Sequence, residues 1–325
     1  MSILKIKELG NTNIKCPVIG FGGAPIGNLF KKISNNESLE ILKESQKNKI
    51  NFYDTSPFYG YGLSEQRIGN FLETKNRNDF IISTKVGRYL VPEDNSKINR
   101  GVFKGGLNYK PIIDYSYDGV MRSFEESLSR LKVDSIDLCL IHDVDYFTHG
   151  KNLEYYFKQS LKGAYVALQK LKEQKLIKAI GLGLNDADVA NRFILSESFD
   201  FVLLAGRYTL LDQSAEKEFF ISAQKKKVGI ILAGIFNSGI LAKGIKNSTY
   251  FYKAIPDSIK FKYIKISNLC KRFNISVQSA AIQFPLRKNY ITSLLLGIDE
   301  KKQIKENLFF LNTNISEDFW LELKK

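Results

Sequence analysis

Short apolar runs alternate with amphipathic stretches along the whole chain. VIGF (18–21), INFYD (50–54), FIISTK (80–85), SIDLCLIH (135–142), IKAIGLG (177–183), DFVLLA (200–205), VGIILA (228–233) and ITSLLLG (291–297) are rich in β-branched and aromatic residues. Each is too short for a buried helix, so the pattern predicts eight strands. The stretches between them carry the helical period. In YDGVMRSFEESLSRLK (117–132), Val120, Phe124, Leu128 and Leu131 fall on one face, and ESLEILKESQKN (37–48) and residues 152–175 read the same way. ILKIKEL and NIKCPVI, either side of Gly10 and Asn11, predict a hairpin ahead of the first of these strands. Repeated strand–helix units imply a parallel sheet with helical crossovers, either closed or spread into a doubly wound sheet. The count of eight, the unbroken pattern and the polar residues at strand ends favour closure. The expected fold is an α/β (β/α)8 TIM barrel with an N-terminal β-hairpin, one domain over residues 1–325.

Three segments exceed an ordinary connection: 22–36, 86–116 and 234–256. Each leaves the C-terminal end of a strand, the face where barrels build active sites. The tail 314–325, with the single tryptophan Trp320, is expected to pack across the barrel.

Three successive apolar strands end in polar residues: Asp54, Lys85 and His142. Tyr59 follows Asp54 in the loop SPFYGYG. Taken singly, each has an ordinary explanation: a local backbone contact, a snorkelling lysine, a packed tyrosine. Adjacent parallel strands are about 4.8 Å apart, so together the strand ends converge at one mouth. A free phenol titrates near about 10, too high for proton exchange at neutrality. An ammonium at Lys85 would lower it, Asp54 would hold that ammonium, and His142 would bind the reacting oxygen. With no metal motif and no nucleophile–base pair, the matching chemistry is hydride exchange with a nicotinamide. His149 reads as a loop residue. GFGGAPIG (20–27) places Pro25, and GLGLND (181–186) places Asp186, where the third glycine of a Rossmann fingerprint belongs, and no Walker A, HExxH or GxSxG motif occurs.

These residues resemble the aldo-keto reductase family. INFYDTSPFYGYGLSEQRIG, IISTKVGR, DLCLIHDVD, IKAIGLGLN and GIDEKKQIKEN are similar to its aspartate–tyrosine, lysine, histidine and two cofactor segments, in the right order over nearly the whole chain. DYSYDGVMRS, LLAGRYTLLDQ and FNSGILAKG are similar to the branch that holds aldose, fucose and pyridoxal dehydrogenases. The resemblance implies an NAD(P)-dependent dehydrogenase that oxidises a sugar lactol at C1 to the lactone. Pyridoxal oxidation and general carbonyl reduction are the alternatives within that chemistry. It implies Tyr59, Asp54, Lys85 and His142 as the catalytic set. Cofactor contacts are implied at Gly22, Asp54, Asn185, Tyr208, Phe236, Asn237, Ser238, Gly239, Gly297, Gln303 and Asn307. Substrate contacts are expected at Tyr59, His142, Tyr89 and Arg207, with Phe103 and Asn108 as further candidates in the long loops. The chain departs from the family at two nicotinamide contacts, where Ala233 replaces a stacking tyrosine and Ala205 a glutamine. NADP-selective members offer Lys, Ser and Arg to the 2′-phosphate. Here Gly297, Ile298 and Gln303 stand there beside Asp299 and Glu300, which predicts NAD over NADP, with Lys301 and Lys302 as contrary charges.

Composition narrows the partners. Apolar residues make up 44% and charged residues 25%, enough for an ordinary core. The net charge of +14 comes from lysines scattered over the helices, without an arginine cluster interleaved with aromatics. That pattern favours a solvated surface over a nucleic-acid partner, although an RNA-binding barrel remains the reading motivated by charge alone. A regulatory subunit that senses nicotinamide without turnover is the other non-enzymatic reading. Cys16, Cys139 and Cys270 are odd in number and far apart, which argues against a disulfide framework or a zinc site. MSILKIKELG lacks an apolar signal core, no run is long enough to span a membrane, and the N-x-S/T match at Asn247 then carries little meaning. The expected protein is cytoplasmic, a monomer or small homo-oligomer, acting on a small sugar or aldehyde without a metal.

Overall fold

β1 (Ile6–Glu8) and β2 (Lys15–Pro17) pair antiparallel as the opening hairpin. The chain continues through β3 (Ile19–Gly22), β4 (Phe52–Asp54) and β5 (Ile81–Val86). A second hairpin follows, β6 (Arg88–Pro92) against β7 (Tyr109–Ile113), inside the long 86–116 segment. Then come β8 (Ile136–His142), β9 (Ile177–Leu184), β10 (Phe201–Ala205), β11 (Gly229–Ala233) and β12 (Ile291–Gly297). In this computed structural model, β3, β4, β5, β8, β9, β10, β11 and β12 close into one barrel, each parallel to its neighbours. It describes residues 4–246, 248–251 and 253–324, so Ile3, Asn247 and Lys325 lie outside the described residues.

All eight predicted runs are barrel strands. Side chains alternate along each strand, and the alternation sorts them into two cores. Phe52, Leu138, Leu140, Ala179, Phe201, Leu203, Ile231 and Leu295 fill the barrel, and Leu9 and Cys16 of the hairpin join that cluster. Tyr53, Ile82, Cys139, Ile141 and Leu182 face outward into the layer shared with the helices. Cys139 is therefore the buried free thiol its setting suggests. Helix Tyr117–Leu131 starts at the Ser116 cap and buries Val120, Phe124 and Leu131, the face its period predicts.

Two expectations need correcting. The 152–175 stretch is not one regular helix: a wide π turn, Ser160–Tyr165, separates Leu153–Gln159 from Val166–Glu173. At that turn a side chain on Gly163 would come within 2.5 Å of the Tyr115 carbonyl, so close packing on the neighbouring helix sets the local geometry. The tail helix Glu317–Leu323 does not cross the barrel. Phe319 and Trp320 are buried in a separate cluster with Cys270 and Phe273 of the helical layer, and Arg287 lies 4.9 Å over the tryptophan ring. Two aromatic faces at adjacent positions are best buried between helices, which draws the tail to the flank.

Glycine contacts stack the loops over the mouth. Gly60 has φ +63°, and a Cβ there would meet the Gly27 carbonyl at 2.4 Å, while one on Gly106 would meet the Gly60 carbonyl at 2.4 Å. The loops after β3, β4 and β5 thus touch backbone to backbone beside Tyr59. We expect Gly60→Ala to combine a left-handed penalty with this clash, destabilising the fold by about 1–3 kcal/mol. It should also lower kcat/KM by misplacing Tyr59. Urea unfolding and steady-state kinetics check both, and wild-type values for the variant would show that this contact positions nothing.

Candidate active site

Strand parity delivers the catalytic candidates to one place. Phe52 points into the barrel and so does Asp54, two residues on. Ser83 and Lys85 share that face on β5, as do Leu138, Leu140 and His142 on β8. Lys85 Nζ lies 2.8 Å from Asp54 Oδ2 and donates to the Thr55 carbonyl at 2.7 Å, and Ser83 Oγ donates to Asp54 Oδ1 at 2.8 Å. Lys85 is 1% and Asp54 3% exposed. Such a pair survives burial because each charge keeps a close counter-charge and extra hydrogen bonds. Burial opposes the ammonium, but the Asp54 carboxylate and the Tyr59 phenol outweigh it and hold Lys85 above its ordinary value.

Tyr59 leans over this pair. Lys85 Nζ is 4.7 Å from its ring centroid, and the His142 ring is 6.0 Å away at 83°. The expectation that the lysine brings the phenol below its free value is not met. Burial pushes Tyr59 up to about 12; Lys85 pulls it down, and the Asp54 and Asp143 carboxylates oppose that pull. The phenol is thus protonated at neutral pH, suited to give a proton and able to take one only when the balance of charge at the mouth changes.

His142 is neutral. Burial, with Arg88 and Lys85 nearby, holds it well below the ordinary histidine value. Its tautomer follows from its neighbours. Ser56 Oγ accepts from the Phe58 N–H at 3.1 Å and stands 3.1 Å from His142 Nδ1. Asp143 Oδ1, which can only accept as a carboxylate, lies 3.4 Å from Nε2, which favours the ring proton on Nε2, on the edge facing the mouth, with Nδ1 as acceptor of the serine hydroxyl. Tyr115 fixes the backbone behind it, donating to the His142 carbonyl at 2.7 Å. His149 is not a loop residue: it sits buried in the short helix Tyr146–His149, 3.1 Å from Tyr115 Oη and stacked on Tyr156 at 4.1 Å.

A second region adjoins the four. Gly22 and Gly297 pair across β3 and β12 at the rim, where side chains would press on the Leu296 carbonyl and on Pro25. Beyond β11, Asn237, Ser238 and Gly239 are all left-handed, with φ of 46°, 53° and 100°. The turn is closed internally, with the Asn237 and Gly239 N–H groups donating to the Gly234 and Phe236 carbonyls at 2.9 and 3.1 Å. A cavity of about 60 Å³ lies here between Asn185, Ala205, Gly206, Gly234, Asn237, Ser238 and Phe251. Asn237 is buried, and neither its carboxamide oxygen nor its nitrogen has a partner. An orphaned amide costs free energy unless something fills it, so the residues present fit the polar part of a dinucleotide. Phe236 packs into the core beside them. Asn185 donates from Nδ2 to Asp143 and Asp145, and its carbonyl accepts from Arg207 Nε at 2.6 Å.

Other expected site residues lie elsewhere. Tyr208 is buried between Phe220 and Phe284, away from the mouth. Tyr89 is opposite in parity to Arg88 on β6, so its ring turns to Arg122 at 4.1 Å. Asn108 is exposed and meets Arg100, whereas Phe103 packs on Phe58 and Tyr59 at the mouth. Gln303 closes its own turn, accepting from the Asp299 and Glu300 N–H groups and donating to the Asp299 carboxylate at 2.6 Å. Asn307 is buried in the helix Lys302–Asn312. Arg88, Asp143 and Ser56 complete the mouth and were not anticipated. All three stood within the motifs, but the pairing of Arg88 with Asp143 across strands gave no sign in the sequence. Among the described residues no group of three or more His, Cys, Asp or Glu could hold a metal ion.

The model of the aldo/keto reductase family matches residues 18–325. The chain belongs to that family. Pyridoxal 4-dehydrogenase of Microbacterium luteolum is 35% identical over 98% of this chain and 96% of its own length. D-threo-aldose 1-dehydrogenase of a Pseudomonas species is 34% identical over 94% and 93%. Among solved structures, the holo form of an aldo-keto reductase from Bacillus halodurans superimposes with a TM-score of 0.76 at 20% identity, covering 99% of this chain and 96% of that one. This aldo-keto reductase is therefore an oxidoreductase of a family that works with nicotinamide dinucleotides.

Proposed function

We propose that the enzyme is an NAD-dependent dehydrogenase that oxidises an aldose lactol at C1 to the lactone, with Tyr59 as proton acceptor. The observation that carries this reading is the Tyr59 phenol set over the buried Lys85–Asp54 pair beside the His142 Nε2–H. The lactol loses a hydride from C1 and the proton of its anomeric hydroxyl. Tyr59 Oη takes that proton, His142 holds the same oxygen, and Lys85 stabilises the phenolate beforehand. The bound dinucleotide supplies the hydride acceptor, and its oxidised ring brings a positive charge that favours the phenolate. Asn185 and the Phe236–Gly239 segment are the residues to hold it. Pyridoxal oxidation is the second reading, favoured by the 35% identical relative that carries that name.

The preference for NAD rests on Asp299 and Glu300, just ahead of the helix Lys302–Asn312. Their charge is partly spent: Glu300 pairs with Lys31 and with Lys302, each at 3.1 Å, and Lys301 pairs with Glu40 at 3.2 Å. These pairs are exposed and weak, so they yield readily to a ligand. The expected result is turnover of at least one member of a panel of aldoses plus pyridoxal, with kcat/KM higher for NAD than for NADP, read at the reduced-nicotinamide absorbance. A clear NADP preference overturns the cofactor reading.

The pH dependence has a definite sign. Oxidation needs the phenolate, and burial holds Tyr59 above its free value before the oxidised ring lowers it, so kcat/KM for oxidation rises with pH through the neutral and alkaline range. Reduction uses the phenol, abundant over that range, and stays flat there. An oxidation profile that is flat from pH 7 to 10 would show that Tyr59 is not the acceptor.

A further inference from the structure

The mouth holds a second charge pair that the proton transfer does not use, with Arg88 buried and Asp143 partly exposed. Asp143 follows His142 and takes a left-handed conformation, φ 53°, which turns its side chain back beside the histidine. Its Oδ2 is 3.1 Å from Arg88 Nη2. Its Oδ1 is 3.4 Å from His142 Nε2 and 3.2 Å from Asn185 Nδ2. Arg88 is buried over the Phe58 ring, at 4.9 Å, and its Nη1 has no acceptor. Asp145 is occupied otherwise, accepting from the Thr148 and Asn185 N–H groups.

The His142 Nε2–H is the donor meant for the reacting oxygen, and in this structure it faces Asp143. A substrate oxygen that takes that N–H comes up against the Asp143 carboxylate, and two acceptors in contact are unfavourable unless a donor stands between them. A hydroxyl on the carbon next to the reacting one lies close to the reacting oxygen and supplies that donor. A methyl group in the same place does not. The buried Nη1 of Arg88 offers the same hydroxyl a donor for its lone pair. We propose that the Arg88–Asp143 pair is a specificity subsite for a hydroxyl vicinal to the reacting carbon. The enzyme then selects α-hydroxy carbonyl compounds, and the lactols they form, over plain aldehydes. The inference rests on the reading of the site given under Proposed function.

The test uses two aldehydes of equal size, glycolaldehyde and propionaldehyde, reduced by the full-length enzyme with NADH. Asparagine and glycine both tolerate a positive φ, so Asp143→Asn and Asp143→Gly keep the backbone. The expected result is a ratio of kcat/KM, glycolaldehyde over propionaldehyde, that falls about 10- to 100-fold from wild type to either variant, the range for a hydrogen bond to a charged group. Aldehyde hydration cancels in that comparison. A pH profile gives a second readout. Burial and Asp145 push Asp143 up to about 6, against Arg88 of β6 and Lys85 of β5, with neutral His142 and Tyr59 alongside and the His149 ring at its backbone. The charged acceptor is present above that value and lost below it. The wild-type ratio should therefore shrink as pH falls through about 6, and the Asp143→Asn ratio should not change. A ratio that stays within about twofold of wild type in both variants, with both substrates slowed alike, overturns the subsite and leaves the dehydrogenase reading standing. Failure of wild type to reduce either aldehyde overturns both.

Discussion

Replacing Tyr59 by phenylalanine lowers turnover at least about a thousandfold and leaves dinucleotide affinity within about threefold of wild type. The substitution removes one oxygen, the proton carrier, and general acid–base groups contribute roughly a hundred- to ten-thousandfold. The ring keeps its contacts with Phe103 and His142, at 6.5 and 6.0 Å between centroids, so the shape of the mouth is retained. The Asn185 and Phe236–Gly239 residues that would hold the dinucleotide are untouched. Stopped-flow turnover and calorimetric titration with the dinucleotide separate the two effects. A variant with wild-type kcat would remove Tyr59 from the chemistry. A non-catalytic nicotinamide sensor would be indifferent to the change, so the same experiment decides between enzyme and sensor.

Replacing Lys85 by methionine has the largest combined effect on stability and activity. Lys85 is fully buried, and its loss strands the Asp54 carboxylate with, among the described residues, only the Ser83 hydroxyl as a side-chain hydrogen-bond donor. Removing one partner of a buried pair costs about 3–5 kcal/mol. The Lys85 charge also lowers the Tyr59 value, so without it the phenolate becomes scarcer and the alkaline rise in oxidation moves to higher pH. Turnover should fall about a hundredfold or more. The double variant Lys85→Met/Asp54→Leu separates the roles: it should regain much of the stability, because no lone charge remains buried, and none of the turnover. Urea unfolding and pH–rate profiles read the outcome. An unchanged profile in Lys85→Met would take the lysine out of the mechanism.

Period gave the strands and helices, and their count and polar ends favoured the closed barrel. Eight apolar runs at strand length, separated by helical period, leave few arrangements for a chain that must bury both faces of a parallel sheet. The same period of two then placed the three polar strand ends: Asp54 and His142 stand two residues beyond Phe52 and Leu140, which fill the barrel, and Lys85 shares its face with Ser83 and Ile81. Tyr89 shows where this reasoning failed, since it belongs to an extra hairpin whose own parity sends Arg88 inward and Tyr89 out. Tyr208 shows a second limit: a buried aromatic in a family-like segment can serve the core as readily as a cofactor.

The sequence by itself determined the strand count, the direction of each side chain along a strand, and therefore which charges meet at the mouth. It did not determine how strongly they act on one another. That depends on burial and on contacts between residues far apart in the chain, such as Arg88 with Asp143 or Gly60 with Gly27. The Tyr59 proton is the clearest case. Its neighbours were legible from spacing, but the exclusion of water that pushes it up rather than down exists only once the loops close over the barrel.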